Sequence, residues 1–348
     1  MEYYDIIKSD FNEIVKLGDD PKWNHNNCYF PYLLKHIPAE AGRNAQVLFQ
    51  KNAGVENIGV AENMTQTVQS ESVLKALSRD WRHVSNGRVI PAAHYCDQPY
   101  IVKTDDGAWL CAVTTGTGRE GAPGQHIITM RSTDCGRTWS EPVAPEPSDG
   151  PESSYAVLLK VPGGRVYCFY NHNTDNIREV RADDPPFKGG ICKRVDSLGY
   201  FVFKYSDDHG RTWSPARYGI PVREMEIDRK NIYRGKVRFF WNVGRPFICG
   251  NKAFVPLHKV GGFGEGFFTG SEGVLLKSDN IMQENNPDKI RWETLPDGEM
   301  GLRAPKGGGS ISEEQSYIVL SDGSFCCVYR TVDGHPAESY SRDGGSIF

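Results

Sequence analysis

The stretch RSTDCGRTWS runs from Arg131 to Ser140, and KYSDDHGRTWS runs from Lys204 to Ser214. Both carry Ser-x-Asp-x-Gly-x-Thr-Trp, with Ser132 and Ser206 lying 74 residues apart. A motif that returns at such a distance marks one structural unit copied along the chain. LLKSDN places Ser278 a further 72 residues on, and YSRDGGSIF places Ser341 another 63 on, with Phe348 where the tryptophan stood. Ser132, Asp134, Ser206, Asp208, Ser341 and Asp343 read as turn formers that bond nearby backbone groups. Gly136, Gly210 and Gly345 supply the positive φ of the turn, and Trp139 and Trp213 return to pack between neighbouring units. These aspartates therefore belong to folding, and they are left off the catalytic list.

A second set of segments interleaves with the first. DQPYIVKTDDGAWLCAV starts at Asp97, ESSYAVLLKVPGGRVYCFY at Glu152, GRPFICGNKAFVPLH at Gly244 and EQSYIVLSDGSFCCVY at Glu314. Each holds two apolar runs around a glycine-containing turn, which is a hairpin pattern. Hairpin, connection, strand, Ser-Asp-Gly turn and a last strand make a four-strand unit, and four such units occupy 86–348. Antiparallel units of this length predict an all-β protein built as a β-propeller.

Composition agrees. Glycine (37) and proline (21) make about a sixth of the 348 residues, which suits many turns. The net charge of -4 argues against a polyanion binder, so nucleic acid is not expected as a partner. Nine cysteines without a CxxC pair read as reduced thiols, and no HxH or HExxH spacing suggests a metal. No cofactor motif stands out; GGFGEGFFTG lacks the Gly-Lys-Ser/Thr of a phosphate loop. The opening MEYYDIIKSDFNEIVKLGDD is not a signal-peptide pattern, and no run of 18 apolar residues occurs, so a soluble cytoplasmic chain without a membrane partner is expected.

The repeated motif resembles the Asp-box, or BNR, repeats of the sialidase (neuraminidase) superfamily. The resemblance implies a six-bladed propeller with its site at the axial end, of which about four blades are written here, and a carbohydrate as substrate or ligand. It also implies a site kit of three arginines for a substrate carboxylate, a tyrosine paired with a glutamate, and an aspartate as acid/base. Asp97-Gln98-Pro99 stands where that family carries Arg-Ile-Pro, so an acid occupies the first arginine position. Glu314 and Arg330, spaced across one hairpin, resemble the family's glutamate and second arginine. The third arginine and the nucleophilic tyrosine would belong to blades not written here, and the open blade edges are expected to favour self-association.

Aligned hairpins bring comparable positions to one mouth. Asp97, Glu152 and Glu314 are the catalytic candidates, joined by Glu120 on the loop before the first box, because glycoside hydrolysis uses paired carboxylates. Arg330, Arg245, Gln98, Tyr170, His126, His172 and His258 are the candidate substrate contacts. The function expected is a sialidase-like glycoside hydrolase acting on an acidic or related sugar. A non-catalytic glycan-binding propeller and a polysaccharide lyase on the same scaffold remain open as alternatives.

The first 85 residues read differently. YYDIIKSDFNEIVKL has helical spacing, and residues 1–50 are expected to form a helical appendage followed by a polar linker over 51–85. DDPKWNHNNCYFPYLLKHIPAEAGRNAQVL, within residues 1–48, resembles the leader of class I methyltransferases, without the glycine-rich cofactor loop that would follow it.

Overall fold

The computed structural model describes residues 87–182, 190–263 and 268–348. The helical appendage with its methyltransferase-like leader, and the linker, lie outside the described residues. Contacts divide the chain after Val89, and the architecture below is that of the unit Ile90–Phe348.

Four antiparallel sheets follow one another along the chain, and a separate two-stranded ribbon is inserted within the second. The first blade holds β1 (Tyr95–Lys103), β2 (Trp109–Gly116) and β3 (His126–Ser132) in that spatial order. The second holds β4 (Ser153–Lys160) and β5 (Val166–His172), then a small ribbon of β6 (Val180–Arg181) and β7 (Ile191–Cys192), then β8 (Tyr200–Ser206) and β9 (Tyr218–Gly219). A short helix, α1 (Glu226–Lys230), leads to the third blade. That blade comprises β10 (Phe240–Trp241), β11 (Phe247–Cys249), β12 (Lys252–Phe263), β13 (Phe268–Ser278) and β14 (Glu293–Leu295). The fourth is β15 (Glu313–Val319), β16 (Phe325–Arg330) and β17 (Ala337–Ser341). This is an almost wholly β propeller-like arrangement of four blades whose sheets, among the described residues, do not close into a ring.

Stacking of alternate faces explains the apolar runs. In β5, Tyr167 and Phe169 face the third blade, where they meet Val255 and Leu257, whereas Cys168 and Tyr170 face Leu110 and Ala112 of the first. A strand buried on both faces reads as a continuous hydrophobic run, and each fully buried ring of this size contributes about 1.5–3 kcal/mol. Phe254 and Leu275 meet Phe325 between the third and fourth blades. Behind β12, Lys259 forms a wholly buried ion pair with Asp228 of α1 and donates to the Arg223 carbonyl at 2.6 Å, which docks the helix on the sheet.

The Ser-Asp-Gly turns have matching geometry. Ser132 Oγ accepts from Gly136 N at 2.7 Å, and Asp134 accepts from both Thr138 N and Thr138 Oγ1. Ser206, Asp208, Gly210 and Thr212 repeat this arrangement, and Ser341 with Asp343 repeats most of it. Trp213 sits in the seam between the first two blades, its indole N–H donating to Thr129 Oγ1 at 3.0 Å. Trp139 packs on the core of the first blade beside Met130. Gly210 is doubly constrained, since its φ is +84° and a Cβ there would run into Leu110 of the adjacent blade. Gly210→Ala is therefore expected to lose about 1–3 kcal/mol, seen as a lower thermal midpoint; an unchanged midpoint would refute the seam contact.

A backbone feature sets the site. The first strands of blades one, two and four each carry a bulge, and its residue lies in the left-handed region: Gln98 at φ 47°, Tyr155 at φ 58° and Glu314 at φ 55°. Non-glycine residues pay for this conformation and it clusters at functional sites. The register pairs Asp97 with Thr114, Ser154 with Asn171 and Glu313 with Arg330, so these are the equivalent positions. Alignment of the hairpins by pattern instead matched Asp97 with Glu152 and Glu314. The difference arises because the tyrosines of DQPY, ESSY and EQSY invite that match, whereas the register makes Tyr100, Val157 and Ser316 the equivalent residues.

Candidate functional site

The first strands gather on a common axis. β1 packs against β4, and β15 packs against β11 and β12. The Tyr100 hydroxyl of the first blade donates to the Val243 carbonyl of the third, and the Asn171 amide of the second donates to the Phe240 carbonyl. Their ends therefore open on one mouth.

At its centre is Tyr155. The bulge turns its ring inward, and its backbone N–H is held by Thr114 Oγ1 at 2.8 Å. Its hydroxyl donates to Asp196, lies 3.0 Å from Glu120 Oε1, and accepts from Arg194 Nη2 at 3.0 Å. Arg194 also binds Asp196 through Nε at 2.8 Å and pairs with Glu120. The Asp196 side chain is wholly buried, whereas that of Glu120 is 43% exposed. The segment carrying Arg194 and Asp196 is pinned between blades, with Val195 N bonding Gly121 O and Phe240 N bonding Ser197 O. Gly121, at φ +78°, leaves room for the arginine stem, which any Cβ would strike. Above the guanidinium lie Trp241 and Phe268, with ring centroids 5.6 and 5.4 Å away.

Burial shapes the proton affinities. It holds the Tyr155 phenol well above its ordinary value, with Asp196 adding to the effect. Burial also raises Asp97, which feels Glu120, Asp196 and Arg194, and Tyr95 beside Asp97 is raised for the same reason. Across the mouth Trp241 stacks edge-on against His258 at 5.3 Å, and His258 Nε2 lies 3.7 Å from Glu313 Oε2. Burial pushes the Glu313 carboxyl up to about 8, with Glu314 adding to it, and pushes His258 down to about 3.

The structure brings Asp97, Glu120, Glu314, Arg330 and His258 into this neighbourhood; Arg330 pairs with Glu314 at 3.0 Å. Gln98 occupies the bulge beside Asp97. Glu152 is buried and paired with Arg178, and it accepts from Gly124 N at 3.0 Å. Although burial opposes it, the Arg178 contact leaves the Glu152 carboxyl below its ordinary value. His172 and Tyr170 belong to a separate buried network: His172 lies 3.0 Å from Arg217, and Tyr170 donates to Glu146 at 2.5 Å. His126 bonds Gly124 O at 3.1 Å, and Arg245 is exposed. Tyr155, Arg194, Asp196 and Glu313 did not stand out in the sequence. An arginine two residues before an aspartate carries no periodic signal, and Glu313 is concealed by its neighbour Glu314.

A concavity of about 490 Å³ lies between α1 and β13, lined by Asn231, Glu272, Arg303 and Ser310 among others. Its buried acid, Glu272, is already satisfied by Gly301 N at 2.8 Å and Arg303 Nε at 2.6 Å, so it offers less reactive chemistry than the mouth. Among the described residues no group of three or more histidine, cysteine or acidic side chains is arranged to hold a metal ion, and no helix is long and apolar enough to cross a membrane.

No protein-family model and no curated protein matches the chain. Solved structures do match it. A protein of unknown function from Dyadobacter fermentans is similar over 72% of this chain and 66% of its own, with 17% identity and a TM-score of 0.51. NanB sialidase from Streptococcus pneumoniae is similar over 73% and 51%, with 13% identity and a TM-score of 0.47. An ulvan lyase is similar over 71% and 56%, with 13% identity and a TM-score of 0.44. The chain thus spans between about half and two thirds of the length of these structures, and what it shares with the first of them is the fold.

Proposed function

We propose that this chain is a carbohydrate-active propeller that cleaves a glycosidic bond at the axial mouth. The observation that carries the reading is the cluster around Tyr155, whose buried hydroxyl ties Asp196 and Arg194 to the half-exposed Glu120 carboxylate. A sugar needs polar groups set against an aromatic face, and glycoside cleavage needs a proton donor and a carboxylate of different proton affinity. Asp97, raised by burial, is assigned as the acid that protonates the leaving oxygen. Glu120, on the exposed side, is assigned as the carboxylate that draws the proton from attacking water. Tyr155, wholly buried, keeps its proton, donates it in a hydrogen bond to Asp196, and acts as a positioning residue that fixes Glu120 and Arg194 at the mouth.

The test uses the full chain with a panel of fluorogenic α-sialosides, uronides and hexosaminides, together with an ultraviolet assay for unsaturated products. Tyr155→Phe is expected to lower kcat by about 100-fold with KM within about threefold, in a protein that still unfolds cooperatively. Saturable glycan binding without any product would replace the reading with a binding module. An unsaturated product would make the chain a lyase.

A further inference from the structure

The groove between α1 and β13 offers about 490 Å³, a size that suits a small molecule, and it shares no lining residue with the cluster around Tyr155. Its acids, Glu226 and Glu272, are balanced by Lys230 and Arg303, but the two signs are not equally presented. Arg303 is 50% exposed against 7% for its partner Glu272, and Lys230 is 74% exposed against 30% for its partner Glu226. The groove therefore shows positive charge to solvent.

Arg303 is oriented and only partly engaged. Its Nε donates to Glu272 Oε1 at 2.6 Å, whereas neither Nη forms a hydrogen bond with a described residue. The buried Glu272 carboxylate, held also by Gly301 N at 2.8 Å, fixes the direction of that two-pronged end. The segment carrying the arginine is tied to β13 on both sides. Leu302 exchanges two backbone bonds of 2.8 Å with Gly273, and Ser310 accepts from Ser271 N at 3.0 Å while its hydroxyl donates to Thr269 O at 2.6 Å. A fork ordered in advance loses little freedom on binding, and its planar pair of donors matches the oxygens of a carboxylate or sulfate. Gly270 keeps the groove open, since an added Cβ would find Ser310 O at 3.9 Å and nothing nearer beyond its chain neighbours. Ile227 of α1 adds an apolar wall.

We propose that this groove is a second binding site, for a monosaccharide-sized organic oxyanion whose carboxylate or sulfate is held end-on by the two Nη groups of Arg303, with Lys230 adding attraction. It goes beyond the cleavage assigned to the mouth and stands whether or not the mouth acts on glycans.

The experiment is calorimetric titration of the full chain, at low salt, with glucuronate, glucose 6-sulfate and the uncharged control glucose. At least one of the two anions is expected to bind about tenfold tighter than glucose, or more, and the order between them identifies the preferred oxyanion. Arg303→Lys keeps the charge and loses the fork, and is expected to weaken that anion by about tenfold. Gly270→Phe fills the groove while leaving the Arg303–Glu272 pair in place, and is expected to weaken it at least as much. Both variants are first shown folded by their thermal transitions; where one fails, the other decides. Glucose bound as tightly as both anions, or neither anion bound, would overturn the inference. Anion binding that survives Gly270→Phe would place the ligand elsewhere, the mouth included, and would overturn it while leaving the reading of the mouth intact.

Discussion

Arg194→Met is expected to cost about 3–5 kcal/mol of stability, because it leaves the Asp196 carboxylate buried without its counter-charge. Asp196 has no exposed side-chain surface and accepts three guanidinium contacts, two at 2.8 Å and one at 3.0 Å. Its remaining side-chain donors, Tyr155 and the 3.4 Å contact from Ser197, are neutral. For a domain of this size the loss corresponds to a fall in thermal midpoint on the order of 10 °C. Combining it with Asp196→Asn removes the stranded charge, so the double variant is expected to recover most of the loss. Glu120 also loses a partner, but its exposure makes that loss small. A single variant as stable as the parent, or a double variant no better than the single, would refute this account of the mouth.

The second large effect is in the dependence of stability on pH. Burial raises the Glu313 carboxyl from 4.5 to about 8 in the folded chain. Its contribution is complete below pH 4.5, where both states are protonated, and is lost as pH rises through 8. Within that window the folded state binds the extra proton, so this group alone lowers stability by about 1.4 kcal/mol per pH unit. His258 and His172 act in the opposite sense. Burial lowers them from 6.5 to about 3 and about 4, so up to pH 6.5 the unfolded chain binds more protons and stability rises. Above 6.5 the decline from Glu313 is left uncompensated, which predicts a maximum near there and a loss of roughly 2 kcal/mol by pH 8. Glu313→Gln is expected to abolish that decline and to be more stable than the parent at pH 8 by roughly 4–5 kcal/mol. Denaturant melts at intervals from pH 5 to 9 supply the check; a parent profile that is flat above 6.5 would show that Glu313 is ionised in the folded protein.

The two variants also separate the layers of the site. Arg194→Met disturbs the cluster that holds Tyr155, so it should affect both stability and turnover. Glu313→Gln removes a latent charge and leaves the strand pairing of β15 untouched, so it should improve stability on the alkaline side.

Local order was settled by local chemistry. The serine, aspartate and glycine of each turn act within five residues of one another, as Ser132, Asp134 and Gly136 do, so their repetition along the chain announced the blades. The paired apolar runs around each hairpin likewise needed only strand periodicity, and they mark β1 and β2, β4 and β5, and β15 and β16. Asp97 and Glu120 could be picked out as acids near a blade start, but nothing local told them apart from Glu152, whose partner Arg178 comes from a loop 26 residues away. Tertiary structure made that distinction. It also selected Glu313 over Glu314 through a left-handed bulge, and drew Arg194 and Asp196 out of an irregular segment by pinning it between three blades. The reason is physical: hydrogen bonding in turns and alternation in strands depend on neighbours in sequence, whereas burial, which raises one carboxyl and leaves another exposed, depends on which blades stack together.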